Sequence, residues 1–452
     1  MVSQNPSGWR RLERGFERVV GAEMRPGEWR IVLPFFANLF LLLAAYYILK
    51  VIREPLILLG GSAVKRSYAR GLQAGLLVVL VPAYSALANR VAPAQLVKWI
   101  MGVFVGSLFF FFLLAGRLHA AIGFAFFVWL GIFSTLSIAQ FWSLANEYIT
   151  EAEGKRLFPL IAVGGTLGGI AGAQFAARFI ERFTPLQMML VAATVLAVCM
   201  WLTHVGHTAA QEHRGGVPDG PPRARDHRGG FTLVLRDRYL LLIGASVVLV
   251  NLITATGDFI LAQIISVKAH TLPAAARGHF IGAFYGDLQT WVTVLTALFQ
   301  ILFVARTFKA VGIGGALLLM PVVEFAGYSL FALLPALATM AIVKVTEGTT
   351  DYSLENTIQQ ALFLPTSIDA KYKAKSAIDT LSKRLGDLGS TGIIWAGSSI
   401  GLQIFGFSLV NALIALVWIG VSFRLRRRQM ATAQVAPSRP VVSAPTSATS
   451  AA

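Results

Sequence analysis

Residues Leu337–Leu364 read LATMAIVKVTEGTTDYSLENTIQQALFL, and the reading of this stretch decides the fold. Its length and apolar content predict a helix that crosses a membrane. Yet it carries Lys344, Glu347, Asp351 and Glu355. In a continuous α-helix these fall at i, i+3, i+7 and i+11 and share one face. Tyr352 and Gln359 widen the polar stripe, and Gly348 leaves room beside it. The opposite side (Ala338, Ile342, Thr346, Thr349, Ser353) is apolar or small. Its hydroxyls can bond back to their own helix, so that side suits packing against neighbours. A charge at the centre of a membrane helix costs about 2.5–3.5 kcal/mol on insertion scales, so the stripe cannot face lipid. It is either a buried ion-pair network that fixes packing or the lining of a substrate or ion pathway. The second is the default reading of intramembrane charge.

The rest of the chain has the same character. Its 452 residues are 56% hydrophobic and 13% charged, with a mean hydropathy of +0.66, far too apolar for a soluble enzyme of this length. Runs of about 20 apolar residues recur. They predict about twelve membrane helices, near 31–51, 71–91, 96–116, 120–146, 157–180, 186–206, 239–267, 279–305, 310–332, 334–363, 385–404 and 406–425. The expected fold is an all-α polytopic membrane protein of two six-helix pseudo-repeats. A basic arm over 1–30 precedes the first lobe, 31–206. Within the arm Trp9, Leu12, Phe16, Val19 and Val20 recur at helical spacing, which fits either a surface-lying helix or a solvated arm. A Gly-, Pro-, Arg- and His-rich linker over 207–238 leads to the second lobe, 239–425. The tail, 426–452, is Ala/Ser/Pro/Thr-rich from Ala431 and is expected to be disordered.

The net charge of +17 follows from where the bases sit, so no nucleic-acid partner is expected. With both termini in the cytoplasm, the inside segments hold most of the Lys and Arg, as the positive-inside rule requires. The first outside loop, with Lys65, Arg66 and Arg70, fits this least well. Cys199 is the only cysteine, so no intramolecular disulfide forms. His204, His207 and His213 cluster loosely, but no carboxylate or Cys completes a metal site. No metal, cofactor or soluble catalytic constellation is expected.

Two segments repeat at an offset of 218: Thr150–Lys155 and Ile368–Lys373, matching Glu151 with Asp369, Ala152 with Ala370 and Lys155 with Lys373. Each joins the fourth span of its half to the fifth, as in transporters built from two related halves. The fifth span carries Gly164, Gly165, Gly168, Gly169 and Gly172, a spacing that lets helix backbones approach closely or gives a hinge. The other charges within the spans are few. Lys50, Arg53 and Glu54 lie toward the outer end of the first span and Glu147 at the inner end of the fourth. Asp258 lies deep in the seventh, Asp287 in the eighth and Glu324 in the ninth, and Asp387 opens the eleventh. Asp258, Asp287, Glu324 and Asp387 are candidates for ion pairs that break and re-form or for proton coupling.

Several stretches carry a family resemblance. They are Tyr47-Ile-Leu-Lys50-Val-Ile-Arg53-Glu54, Phe141-Trp-Ser-Leu-Ala-Asn-Glu147 and Gly154-Lys-Arg-Leu-Phe-Pro-Leu160 with the Gly-rich span after it. Phe280-Ile-Gly282, Thr290-Trp291, Tyr352-Ser-Leu, Leu364-Pro365, Lys371-Tyr-Lys-Ala-Lys-Ser-Ala-Ile-Asp379 and Arg384-Leu-Gly386 follow in order. In these the chain resembles the nucleotide translocases, the ATP:ADP antiporters of plastids and intracellular bacteria, which are related to the major facilitator superfamily. The resemblance implies nucleotide exchange with basic side chains on the phosphates. The chain departs from it at Arg53, where the family has Lys, and at Thr254, where it typically has Glu. It departs again at Asp351, Gln359 and Asp387, near which the family favours Lys. Acids in place of Lys weaken the attraction for a triphosphate.

The expectation is therefore a secondary-active transporter of the bacterial inner membrane, monomeric, moving a nucleotide or another phosphorylated or organic anion by alternating access. Arg53, Glu147, Lys155, Lys344, Glu347 and Asp351 are its candidate substrate contacts. The alternatives are a proton-coupled transporter of an unrelated small molecule and a non-transporting membrane scaffold.

Overall fold

A computed structural model describes residues 28–88, 90–91, 93–114, 119–149, 151–213, 230–363, 366 and 374–435. The candidate surface helix near the N-terminus, the part of the expected disordered tail beyond Val435 and the side chains of Glu147 and Lys155 fall outside this set. So does the second copy of the repeat, Ile368–Lys373. Among the described residues there is no strand.

The first lobe is six long helices: α1 Trp29–Leu59, α2 Ala63–Ala88, α3 Pro93–Leu114, α4 His119–Tyr148, α5 Glu151–Phe179 and α6 Pro185–His213. A short helix, α7 Gly230–Arg236, closes the expected linker region, and α8 Arg238–His270 opens the second lobe. The Asp237 carboxylate caps α8 by accepting the Tyr239 N–H at 2.7 Å. Then come α9 Ala274–Phe299, α10 Ala305–Ala316, α11 Leu319–Leu333, α12 Leu337–Thr350, α13 Asn356–Leu362, α14 Lys375–Ala377, α15 Lys383–Ser399 and α16 Ile404–Val435. The last helix continues past residue 425, where the sequence predicted its end. It carries Arg424, Arg426, Arg427 and Arg428 at the end of the apolar run.

Among the described residues nine helices are long and apolar enough to cross a membrane. A further pair, α10 and α11, passes the same length and composition together and is bent by 82° between Ala316 and Leu319. The expected ninth span, near 310–332, is thus broken, and α10 itself is kinked at Gly312, whose φ of 68 is open to glycine. A π-helical turn, Asp351–Glu355, interrupts the tenth span, a second, Ile378–Ser382, leads into the eleventh, and a third, Gln300–Val304, follows α9. Charge and these breaks together keep the two spans from passing a simple apolar test. Both are nonetheless packed among the others, α12 against α9 and α11, and α15 against α8 and α2.

In the first lobe α1 is central, packed on α4, α5 and α6. Its contact with α5 runs along the glycine ladder: a Cβ on Gly168 or Gly172 would run into the carbonyls of Phe40 or Ala44. Close packing is thus what the small residues of the fifth span provide. In the second lobe α8 holds α15 and α16, and α11 holds α12 and α16. The lobes meet through α2 against α15 and α5 against α9.

The apolar cores show where the lobes touch. One cluster lies almost wholly in the first lobe, from Ile31 to Cys199. A second spans both lobes: Ile57, Leu58, Ala63, Ala69 and Phe127 pack with Phe259, Ile265, Ile281 and Phe407. A third belongs to the second lobe alone and contains Tyr239, Val304, Leu354 and Ile358. The shared core sits where α1 ends and α2 begins. This is the closed end, and at the opposite end, which holds the starts of α1 and α8, each lobe has a core of its own.

Candidate functional site

A cavity of about 250 Å³ lies between the lobes, next to the closed end. From the first lobe Tyr46, Lys50, Arg53, Glu54, Arg66, Arg70 and Gln73 line it. From the second come Thr254, Asp258, Gln289, Lys344, Glu347, Asp351 and Tyr352. The spacing explains the convergence. Lys50, Arg53 and Glu54 fall within one turn of α1, and Arg66 and Arg70 lie at i and i+4 of α2.

These charges form a chain of pairs. Arg53 and Arg66 both engage the Glu54 carboxylate, Arg66 Nε at 2.7 Å from Oε2. Arg53 also stacks on Phe127, its guanidinium 4.2 Å from the ring centre. Arg70 reaches across the lobes, 2.9 Å to Asp258 and 3.4 Å to Asp387. Asp258 in turn binds Lys344 at 2.8 Å. Lys344 also pairs with Glu347 one turn on and donates to the Thr254 carbonyl at 3.3 Å. Glu347 accepts a further bond from the Tyr328 hydroxyl, 2.7 Å away. Each acid and base in the chain is thereby compensated, the condition for keeping charge out of water. Cross-lobe pairs of this kind hold the closed end and would have to separate for it to open.

Two groups stand apart from the chain. Lys50 donates to Gln289 Oε1 at 2.6 Å and lies over the Tyr46 and Tyr47 rings. Asp351, partly exposed to the cavity, has no hydrogen-bond or ion-pair partner among the described residues.

No family model matches the chain. Two curated relatives are ADP,ATP carrier protein 1 of Chlamydia pneumoniae and its namesake in Chlamydia trachomatis. They are 21% and 22% identical over 65% of this chain. The chain is a distant relative of the ADP,ATP carriers. It spans 64% and 62% of their lengths. Among solved structures it resembles a mutant of the nucleoside transporter NupG, with a TM-score of 0.66 and 13% identity over 89% of this chain and 99% of that one. A bacterial homologue of the iron transporter ferroportin, in an inward-facing state, gives 0.64 and 11% over 88% and 98%. The fold is that of the major facilitator transporters.

The departures from the carriers now have places. Asp351 lies on the cavity wall, Asp387 is held by Arg70 and by Arg384 at 3.7 Å, and Thr254 offers Lys344 its carbonyl. Of the residues singled out from sequence, Arg53, Asp258, Lys344, Glu347 and Asp351 come together in the cavity and Asp387 joins their network. Glu324 sits apart in the second lobe, 1% exposed, with no hydrogen-bond partner for either carboxylate oxygen among the described residues. Asp287 faces a different cleft, of about 920 Å³, at the closed end beside Glu181 and His279. Its position in the eighth span turns it away from the cavity, so it is not part of this network. Glu355 also leaves the stripe: the π turn rotates each residue less than an α-helix does. Its side chain is 2% exposed and bonds Gln359. Sequence reasoning placed Arg66 and Arg70 in an outer loop. The signal that could have found them was their poor fit to the positive-inside rule, with their i, i+4 spacing at the head of an apolar run.

Proposed function

We propose that this chain is a secondary-active transporter of the bacterial inner membrane, with both termini in the cytoplasm, that moves a small organic anion by alternating access. The observation that carries the reading is a charged cavity between two lobes that share an apolar core at one end only. A scaffold has no use for such a cavity; a carrier needs it to be reached from each side in turn. On this reading the open end faces the cytoplasm. Lys50, Arg53 and Lys344 attract the solute's negative group. The pairs from Arg70 to Asp258 and Asp387 break and re-form as the lobes rock. Glu147 and Lys155, at the inner ends of α4 and α5, remain candidates for a contact on the entry path. The carriers' own names make nucleotides the first solutes to test.

Preloaded proteoliposomes assayed for labelled ADP and ATP exchange, with and without a pH gradient, test this. Exchange indifferent to pH supports a nucleotide exchanger. Uptake that needs the gradient and ignores nucleotides supports a proton-coupled carrier. If no candidate solute moves, the transport reading is lost.

The proton-coupled version has its own support in Glu324. Among the described residues neither of its carboxylate oxygens has a hydrogen-bond partner, and buried acids of membrane spans serve as proton carriers in pumps and transporters. Tyr328, one turn further along α11, hydrogen-bonds Glu347, so a proton taken up by Glu324 would lie close to the Lys344 network.

A further inference from the structure

Most of the cavity's charge is already spent on itself. Glu54 serves Arg53 and Arg66, while Asp258, Asp387 and Glu347 serve Arg70 and Lys344. What is left is one base on the first lobe, Lys50, and one acid on the second, Asp351. Among the described residues Lys50 has an amide and two aromatic faces as partners, and no carboxylate within ion-pair reach. Asp351 has no hydrogen-bond or ion-pair partner among the described residues, and Lys383 and Lys344 act on it only from a distance.

We propose that the transported solute is a small zwitterion of amino-acid or dipeptide type, whose anionic group binds Lys50 and whose ammonium group binds Asp351. The proposal rests on the transport reading and puts a solute of both charges in the same cavity, where that reading asks only for an anionic group. The polarity of the lobes supports it. At the closed end a first-lobe base meets second-lobe acids directly, Arg70 with Asp258 and Asp387. Lys50 and Asp351 continue that order, base on one lobe and acid on the other, but with cavity between them. Gly348 lies on the cavity wall too, where a Cβ would press on Val292. A solute with both charges completes the series and ties the lobes together, which couples binding to closure. A solute with negative charge alone meets Lys50 but sets its charge against Asp351, in surroundings where repulsion is weakly screened. Tyr46 lines the cavity on the first lobe, and Tyr352, 52% exposed, on the second. Such faces suit an ammonium group.

The test is ligand-dependent thermal unfolding of the full-length protein in detergent. The probes are a panel of α-amino acids and dipeptides, their N-acetylated forms (anion only), their amides (cation only) and ADP. At least one free zwitterion is expected to raise the midpoint saturably, while its N-acetyl and amide forms bind at least about tenfold more weakly. Asp351→Asn should erase the preference for the free form over the N-acetyl form, and Asp351→Glu should retain it. Lys50→Gln should weaken both. An unliganded midpoint like that of the wild type shows that each variant folds. ADP or an N-acetyl compound binding as well as the free form would overturn the proposal. So would a panel without effect, or unchanged discrimination in Asp351→Asn. The last two outcomes also fit an alternative in which Lys50 and Asp351 pair directly on closing. Proteoliposome exchange of the compound that binds separates the two claims. A bound zwitterion that never crosses sinks transport and leaves the site. Exchange of anions alone sinks the zwitterion and leaves transport.

Discussion

In the first lobe the cavity wall is basic: Lys50, Arg53, Arg66 and Arg70 stand against one acid, Glu54. In the second it is acidic: Asp258, Glu347 and Asp351 stand against Lys344, with Asp387 behind them. The backbones differ too. Among the described residues the first lobe's helices contain no π turn, and α1 lies against α5 along a glycine ladder. The second lobe has three π turns and a span bent by 82°. The difference teaches that intramembrane charge here is divided by sign between lobes, each lobe pairing much of its charge internally and Arg70 joining the two. A basic lobe faces an acidic lobe in which one π turn, Asp351–Glu355, lies on the cavity wall. π turns of this kind are frequent at functional sites.

The largest effect should come from removing the base that joins the lobes. Arg70→Gln leaves Asp258 and Asp387 short of a partner, and loss of one member of a buried pair costs about 3–5 kcal/mol. Thermal unfolding in detergent should show a drop of several degrees, most of it recovered when Asp258→Asn is added. A midpoint that does not move would break the comparison, because the lobes would then hold together without their opposite charges.

The pair within the second lobe comes next. Glu347→Gln should lower transport at least about tenfold while the protein stays folded, since an amide still accepts from Tyr328 and fills the same space. If folded protein is lost instead, and Lys344→Met restores it, the pair belongs to packing rather than to the pathway.

How much of this was legible in the sequence varies residue by residue. Apolar runs placed the helices, because length and hydropathy are local properties. Lys344 and Glu347 were legible as neighbours because three residues of regular helix separate them. Asp258 was legible as too deep to be a loop acid. Glu355 was misplaced because a π turn at Asp351–Glu355 leaves no mark in the hydrophobic period. Arg66 and Arg70 were misplaced because two bases at the head of α2 lower its hydropathy and shift the apparent start of the span. Their acids are 12 to 317 residues away along the chain, Glu54 for one and Asp387 for the other, and only the packing of α2 on α15 brings Asp387 into reach.

Two smaller predictions sharpen the contrast. Gly168→Ala puts a methyl group into the Phe40 backbone inside the first lobe and should cost about 1–3 kcal/mol. Gly282→Ala, at the junction of the lobes, meets only the end of the Ile180 side chain and one carbon of Pro55. It should cost less, since Ile180 can turn away, and unfolding midpoints of the two variants give the order. Smallest in stability should be Glu324→Gln, under about 1 kcal/mol, because an amide of the same shape replaces the carboxyl. Accumulation driven by a pH gradient should fall all the same, while exchange at equal pH persists. Equal loss of both would remove Glu324 from coupling.

The central claim is that the two lobes part and rejoin at the end sealed by Arg70, Asp258 and Asp387. The most direct measurement is the distance between spin labels on cysteines introduced at Leu59 and Val267, both exposed at the closed end on opposite lobes. Cys199 is buried and should stay unlabelled. Two separations are expected in the wild type, with the longer one gaining population in Arg70→Gln. A single separation, unchanged by that substitution, would contradict the account.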